Sequence, residues 1–128
     1  MGVLVAVMNN GRRKFPRVPL QGEVDLQIAG IVRSGKLMDI SPSGLQIECR
    51  HQLIEHLAGF KSDAGLYPNF ELRFKLVKRG SAAIKSIYEV SYCRRLSQDT
   101  YHLGLRFISL SEADESRVME FIDHAAAA

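Results

Sequence analysis

The sequence predicts an all-β domain completed by a C-terminal helix, and three observations carry that expectation. Apolar and polar residues alternate with period two in about six separate stretches, turn-forming residues stand between the stretches, and a helical stripe closes the chain. With 128 residues, 46% of them hydrophobic, the chain can bury one ordinary core and is too short for two domains of typical size.

The elements follow in order. Residues 1–10 read as a flexible leader or an extra strand, and residues 11–128 as a single domain. Through Gly22 the breakers Asn9, Asn10, Gly11, Pro16, Pro19 and Gly22 argue for an extended or looped arm rather than a helix. Val24, Leu26 and Ile28 then share one face of a strand whose other face carries Asp25 and Gln27. Ala29-Gly30 permits a turn, Ile31 to Ile40 forms a second strand, and Ser41-Pro42-Ser43-Gly44 turns the chain because Pro42 pre-sets its own φ while Gly44 can take a positive one. Leu45, Ile47 and Cys49 alternate as a third strand. Residues 52–60 form a short helix or a loop, since Leu53, Ile54 and Leu57 approximate helical spacing.

Phe70, Leu72, Phe74 and Leu76 alternate with Glu71, Arg73 and Lys75, the cleanest strand pattern in the chain. Lys78 to Ser81 turns it, and Ile84 to Leu96 and Tyr101 to Ile108 make two further strands around a connection at Ser97 to Thr100. The C-terminal helix starts at about residue 111. Ser111 is its N-cap candidate, Asp114 stands where a capping-box acid would, and Val118, Phe121 and Ile122 form the stripe to be buried.

Composition excludes several function classes. The longest apolar run, Val3 to Met8, falls far short of the roughly 20 residues that cross a bilayer, so no membrane insertion is expected. The same run lacks the flanks of a secretory signal. Cys49 and Cys93, the only two cysteines, suit neither a disulfide framework nor a zinc motif, so the expected setting is cytoplasmic and both thiols read as buried small hydrophobes. His51, His56, His102 and His124 show no pairing on a common face with a third ligand, and no metal or other cofactor is expected. Ser41 has no recognisable base and Gly44 belongs to no nucleophile elbow, which leaves an enzyme without residues to name. A formal net charge of +3 suits an anionic ligand but not a surface that coats nucleic acid.

That charge is localised. Arg12, Arg13, Lys14 and Arg17 place four cations within six residues, and no acid precedes Glu23. A guanidinium presents a planar fork that grips phosphate oxygens or the O6/N7 edge of guanine, and its face can stack on a base. On its own the arm reads equally as solvated charge. A second cluster follows at Asp39, Ser41 and Gly44, where a carboxylate, a hydroxyl and a turn backbone converge. A carboxylate accepts from guanine N1–H and N2–H, and the hydroxyl and turn amides can hold a phosphate or order the acid. Alone, this cluster is an ordinary side-chain turn. The pairing of the two clusters is the specific feature.

Arg13-x-x-x-Arg17 followed by Asp39-x-Ser41-x-x-Gly44, with His102-Leu103-Gly104-Leu105-Arg106-Phe107 later, resembles the PilZ domain, the bacterial receptor module for cyclic di-GMP, over roughly residues 11–124. The resemblance implies a six-stranded antiparallel β-barrel of PilZ type with the C-terminal helix packed on it. It implies a cyclic di-GMP-binding receptor or effector that converts second-messenger binding into a change of protein–protein interaction. By the same resemblance Arg13 and Arg17 would grip guanine and phosphates, Asp39 and Ser41 would bind from the barrel surface, and Gly44 would keep the turn accessible. An arginine at position 12 is similar to members that take an intercalated ligand dimer. Tyr92 lies where many members carry an aromatic, commonly Trp, which implies stacking on the ligand, the alternative being a strand residue half-packed on the barrel; Arg94 and Arg106 are secondary candidates for phosphate. The alternative is a degenerate adaptor of the same fold that binds a motility or secretion partner without nucleotide. A general single-strand nucleic-acid binder would need more surface aromatics and broader charge.

Overall fold

Residues 17–76 and 82–127 are described by the computed structural model of the chain. Their order is β1 (Val18–Ile28), β2 (Ile31–Ser41), β3 (Gly44–Cys49), α1 (His51–Ala58), β4 (Phe70–Phe74), β5 (Ile84–Ser97), β6 (Thr100–Ser109) and α2 (Glu112–Ala127). The strands pair antiparallel and close into a barrel in the lateral order β1-β2-β3-β6-β5-β4. Among the described residues every strand therefore has a neighbour on both sides over part of its length. The expected strand count, the barrel and the C-terminal helix are all present.

The barrel begins earlier than the breaker residues suggest. The arm expected through Gly22 gives way to strand at Val18, because Val18 and Leu20 are apolar side chains that bury on the core. Pro19 and Gly22 are absorbed by a bulge between them, where Gly22 takes φ +144°. Among the described residues β4 pairs only with Asp25 to Gln27 of β1, so at Pro19 the one described neighbour is β2, and a proline is tolerated where a strand is paired on a single side. The leader, its strand alternative, Arg12, Arg13 and the whole of the turn expected at 78–81 lie outside the described residues.

Ala29 and Gly30 both adopt positive φ, +50° and +81°, as a two-residue type I′ hairpin requires. Inside the barrel, Leu26, Ile40, Leu45, Ile47, Leu72 and Ile84 are fully buried. Helix α1 adds Leu53, Ile54 and Leu57 to this core, settling the choice between helix and loop at 52–60. Its first turn is capped from another element: Asp99, in the β5–β6 hairpin, accepts the His51 backbone N–H at 2.9 Å and pairs with Arg50. Those contacts, the His51 amide foremost, hold the Asp99 carboxyl below the usual carboxylate range.

Helix α2 starts as the capping pattern predicts, with the Asp114 N–H donating to Ser111 Oγ at 3.1 Å. Val118 and Ile122 bury its apolar stripe, and the helix contacts β1 and β2. The thiol expectation holds for Cys49, which is buried, and fails for Cys93, which is exposed. Cys93 follows a bulge in the part of β5 that runs toward the hairpin tip, where residues 91–98 are all exposed.

Candidate functional site

Two bulges decide which side chains reach the outer face of the barrel. Leu37 and Ile40 both point inward although they stand three positions apart, because the β2–β3 register shifts between Leu37 and Asp39. Strict alternation from Leu37 would bury Asp39, and the extra residue Met38 turns it outward instead. On β5 the register shifts between Val90 and Tyr92, so Ser91 is the extra residue and Tyr92 turns outward in the same way. A β-bulge re-aims a side chain, and here each of the two aims a chemically useful one at the same surface.

Cross-strand pairing joins them. One lateral row runs from Pro19 to Asp39, Gln46, Gly104 and Tyr92 across five strands. The row on one side holds Ser41, Gly44, Arg106 and Glu89, and the row on the other holds Lys36, Glu48, His102 and Arg94. Of the candidate residues that are described, Asp39, Ser41, Gly44, Tyr92, Arg94 and Arg106 share one outer face by register, Ser41 being buried within it at 6% exposure, and Arg17 joins them through its ion pair with Asp39. Arg95, the next residue along β5 from Arg94, faces the other way, with its guanidinium over the Tyr101 ring at 5.7 Å. A groove of ≈ 1030 Å³ adjoins this face along Lys36 and Glu48, but neither Asp39 nor Ser41 nor Tyr92 lines it. The motif chemistry is on the ridge and not in the groove.

Arg17 Nη1 donates to Asp39 Oδ1 at 2.6 Å, and the two side chains are 34% and 23% exposed. Among the described residues the second carboxylate oxygen and the remaining guanidinium N–H groups meet no other partner, so the pair presents acceptor and donors side by side. Ser41 Oγ sits 3.0 Å from Ser43 Oγ and accepts the Ser43 N–H at 3.3 Å, which closes the hairpin as a serine turn. Arg106 donates twice to Glu89 Oε2, at 3.0 and 2.5 Å, so it is held in a carboxylate pair on this face.

Gly44 differs from its expected role. It does not adopt positive φ and is the first residue of β3, paired with Ser41 on one side and Arg106 on the other. A Cβ there would stand 1.8 Å from the Leu105 carbonyl oxygen, so glycine is required by the close approach of β6 and not by the turn. The Phe107 N–H to Ser43 carbonyl bond of 2.9 Å extends the same approach.

Tyr92 is 39% exposed, and its ring crosses over Gly104, where a Cβ would lie 2.1 Å from ring atom Cε2. Its hydroxyl reaches past β6 to donate to Gln46 Oε1 on β3 at 2.6 Å. Gln46, Glu48 and His102 complete the surface and were not candidates from sequence. Gln46 had a readable signal, standing two residues after Gly44 on the same strand face. Among the described residues, no group of His, Cys, Asp and Glu comes together as a metal site, and no helix is long and apolar enough to cross a membrane.

The geometry matches a known domain. A family model described as the PilZ domain matches residues 11–124. Among solved structures, the chain is similar to the inhibitor of motility MotI/DgrA of Bacillus subtilis, with a TM-score of 0.68 at 14% identity over 92% of this chain and 53% of that one. It is similar to the PilZ domain of YcgR from Escherichia coli with c-di-GMP, with a TM-score of 0.58 at 15% identity over 91% of this chain and 92% of that one. For the MrkH–c-di-GMP complex of K. pneumonia the TM-score is 0.61 at 19% identity, over 92% of this chain and 54% of that one. The chain thus spans about half the length of MotI and MrkH and nearly all of the YcgR domain. Comparison with curated protein sequences yields no match.

Proposed function

The chain belongs to the PilZ domain family, and from that premise we propose that it is a cytoplasmic receptor for cyclic di-GMP, acting by binding rather than catalysis. The observation that carries the reading is the outward-facing row on which the Arg17–Asp39 pair, Gln46 and Tyr92 stand together. Similarity to YcgR and MrkH, whose structures contain c-di-GMP, supports the choice of ligand.

In this reading Asp39 accepts the guanine N1–H and N2–H edge, and Arg13 and Arg17 donate to phosphate and base. Ser41 contributes its hydroxyl at the hairpin. Arg12 sets whether one nucleotide or an intercalated pair is taken, and Arg94 and Arg106 add phosphate contacts at the far side of the face. Binding competes with the existing Arg17–Asp39 pair. An ion pair this open to solvent contributes about 0.2–1 kcal/mol, whereas a hydrogen bond to a charged group contributes about 1.5–3 kcal/mol, so the ligand's contacts prevail. The segment from Arg12 to Arg17 then closes over the nucleotide, and the altered surface engages or releases a protein partner.

Isothermal titration with cyclic di-GMP tests this. The parent is expected to bind, and Arg17→Ala or Asp39→Ala to weaken affinity roughly ten- to a hundredfold, following from about 1.5–3 kcal/mol per lost contact. A parent that releases no heat and binds no nucleotide by any second method contradicts the receptor reading and favours the nucleotide-independent adaptor.

A further inference from the structure

We infer that Gln46 and His102 are positioning residues, which together with Glu48 anchor the Tyr92 ring across Gly104 as a stacking face for a purine base. The inference rests on the receptor reading above and adds to it a way of holding the aromatic.

The hydrogen-bond directions can be assigned from one end. The Glu48 carboxylate only accepts, so His102 Nε2, 3.2 Å from Glu48 Oε1, carries the proton. His102 Nδ1 is then a lone pair, and 3.3 Å away stands Gln46 Nε2, which can only donate. That orientation leaves Gln46 Oε1 pointing at Tyr92, whose hydroxyl donates to it at 2.6 Å. Tyr92 to Gln46 to His102 to Glu48 is thus one directed chain, in which every donor meets an acceptor. His102 is only 9% exposed. Such burial fixes the imidazole, and the fixed imidazole selects one of the two amide orientations of Gln46.

The position of the ring depends on this chain. A solvent-facing tyrosine on a strand can swing about two side-chain torsions. Here the ring covers the bare backbone of Gly104, and the hydroxyl is tied down on β3, two strands away in the sheet. An aromatic laid over a cross-strand glycine fills the space of the missing side chain. With both ends fixed, one edge of the barrel face carries a preorganised π-surface in the same lateral row as Asp39. Base–aromatic stacking tolerates any base and adds affinity where the ring is already ordered.

Two measurements on the whole chain test the inference. Without ligand, the Gly104 α-proton resonances are expected upfield under the Tyr92 ring current, and Gln46→Leu, His102→Leu and Tyr92→Phe are each expected to reduce that shift. Melting temperatures, followed in parallel, exclude loss of fold. With cyclic di-GMP, Tyr92→Phe and Gln46→Leu are each expected to weaken binding by about fivefold, because the ring remains but is no longer held in its stacking position. The double variant is expected to be no weaker than either single one, because both break the same link. Unshifted Gly104 resonances in the parent, or a parent that binds with these variants binding equally well or with additive losses, overturn the inference alone. A well-folded parent that binds no cyclic di-GMP overturns the receptor reading and the stacking role together.

Discussion

Gly44 and Gly104 stand diagonally across the β3–β6 ladder, and neither has room for a side chain, but different atoms occupy the space. At Gly44 the obstacle is the Leu105 carbonyl, part of the barrel's own backbone. At Gly104 it is the ring of Tyr92, the end of a side chain on the outer surface. Backbone cannot move without breaking the ladder, whereas a surface ring can rotate away. The first glycine therefore serves closure of the fold, and the second serves the placement of one residue on the proposed binding face.

Substitution separates the two roles. Gly44→Ala is expected to have the largest effect, a loss of about 3 kcal/mol or more, since forced overpacking against fixed backbone sits at the upper end of such costs. Urea denaturation measures it. Gly104→Ala is expected to lower stability by about 1 kcal/mol or less, while displacing Tyr92 and weakening cyclic di-GMP binding about fivefold, as Tyr92→Phe does. Equal destabilisation by the two alanines would break the distinction.

The same contrast recurs along β5, between tyrosines on opposite faces. Tyr92 bonds its hydroxyl to Gln46, whereas Tyr88 is fully buried with a hydroxyl that finds no partner among the described residues. Burial raises the Tyr88 phenol well above its usual range, with Asp114 adding to the effect. Removing an unpaired buried hydroxyl relieves its desolvation, so Tyr88→Phe is expected to stabilise the chain by about 1 kcal/mol, seen as a higher melting temperature. Tyr92→Phe is expected to leave stability nearly unchanged and to act on ligand affinity.

A smaller effect distinguishes inside from outside at the cysteines. Burial pushes the Cys49 thiol up to about 12, whereas Cys93 is exposed and is raised without being shielded to that degree. A thiol reagent at mildly alkaline pH is expected to modify Cys93 in the folded chain and Cys49 only after denaturation. Rapid modification of both would show that the β3 end of the barrel opens readily.

Much of this was legible in the sequence. Alternation at Val24 to Ile28 and Phe70 to Leu76 predicts strands that are found, and Ser111 predicts the start of α2. The motif pair predicts a shared face for Asp39 and Ser41, which the barrel provides. What alternation hid was the direction of Asp39 and Tyr92, because a bulge reverses parity and its position depends on the partner strand. A local signal existed at Leu37 and Ile40, two apolar residues three apart inside a strand. The requirement for glycine at 44 was not legible, since the atom that imposes it arrives some sixty residues later in the chain, on β6. The early start of β1 was hidden by Pro19 and Gly22, whose usual role as breakers is overridden by burial of Val18 and Leu20.

The receptor reading rests most directly on the Arg17–Asp39 pair and its neighbours on the outer row. Calorimetric titration of the whole chain with cyclic di-GMP, alongside Arg17→Ala, tests it in one experiment and also returns stoichiometry. The account predicts saturable binding by the parent and a loss of roughly tenfold or more for Arg17→Ala. Equal affinity for the two chains would contradict it.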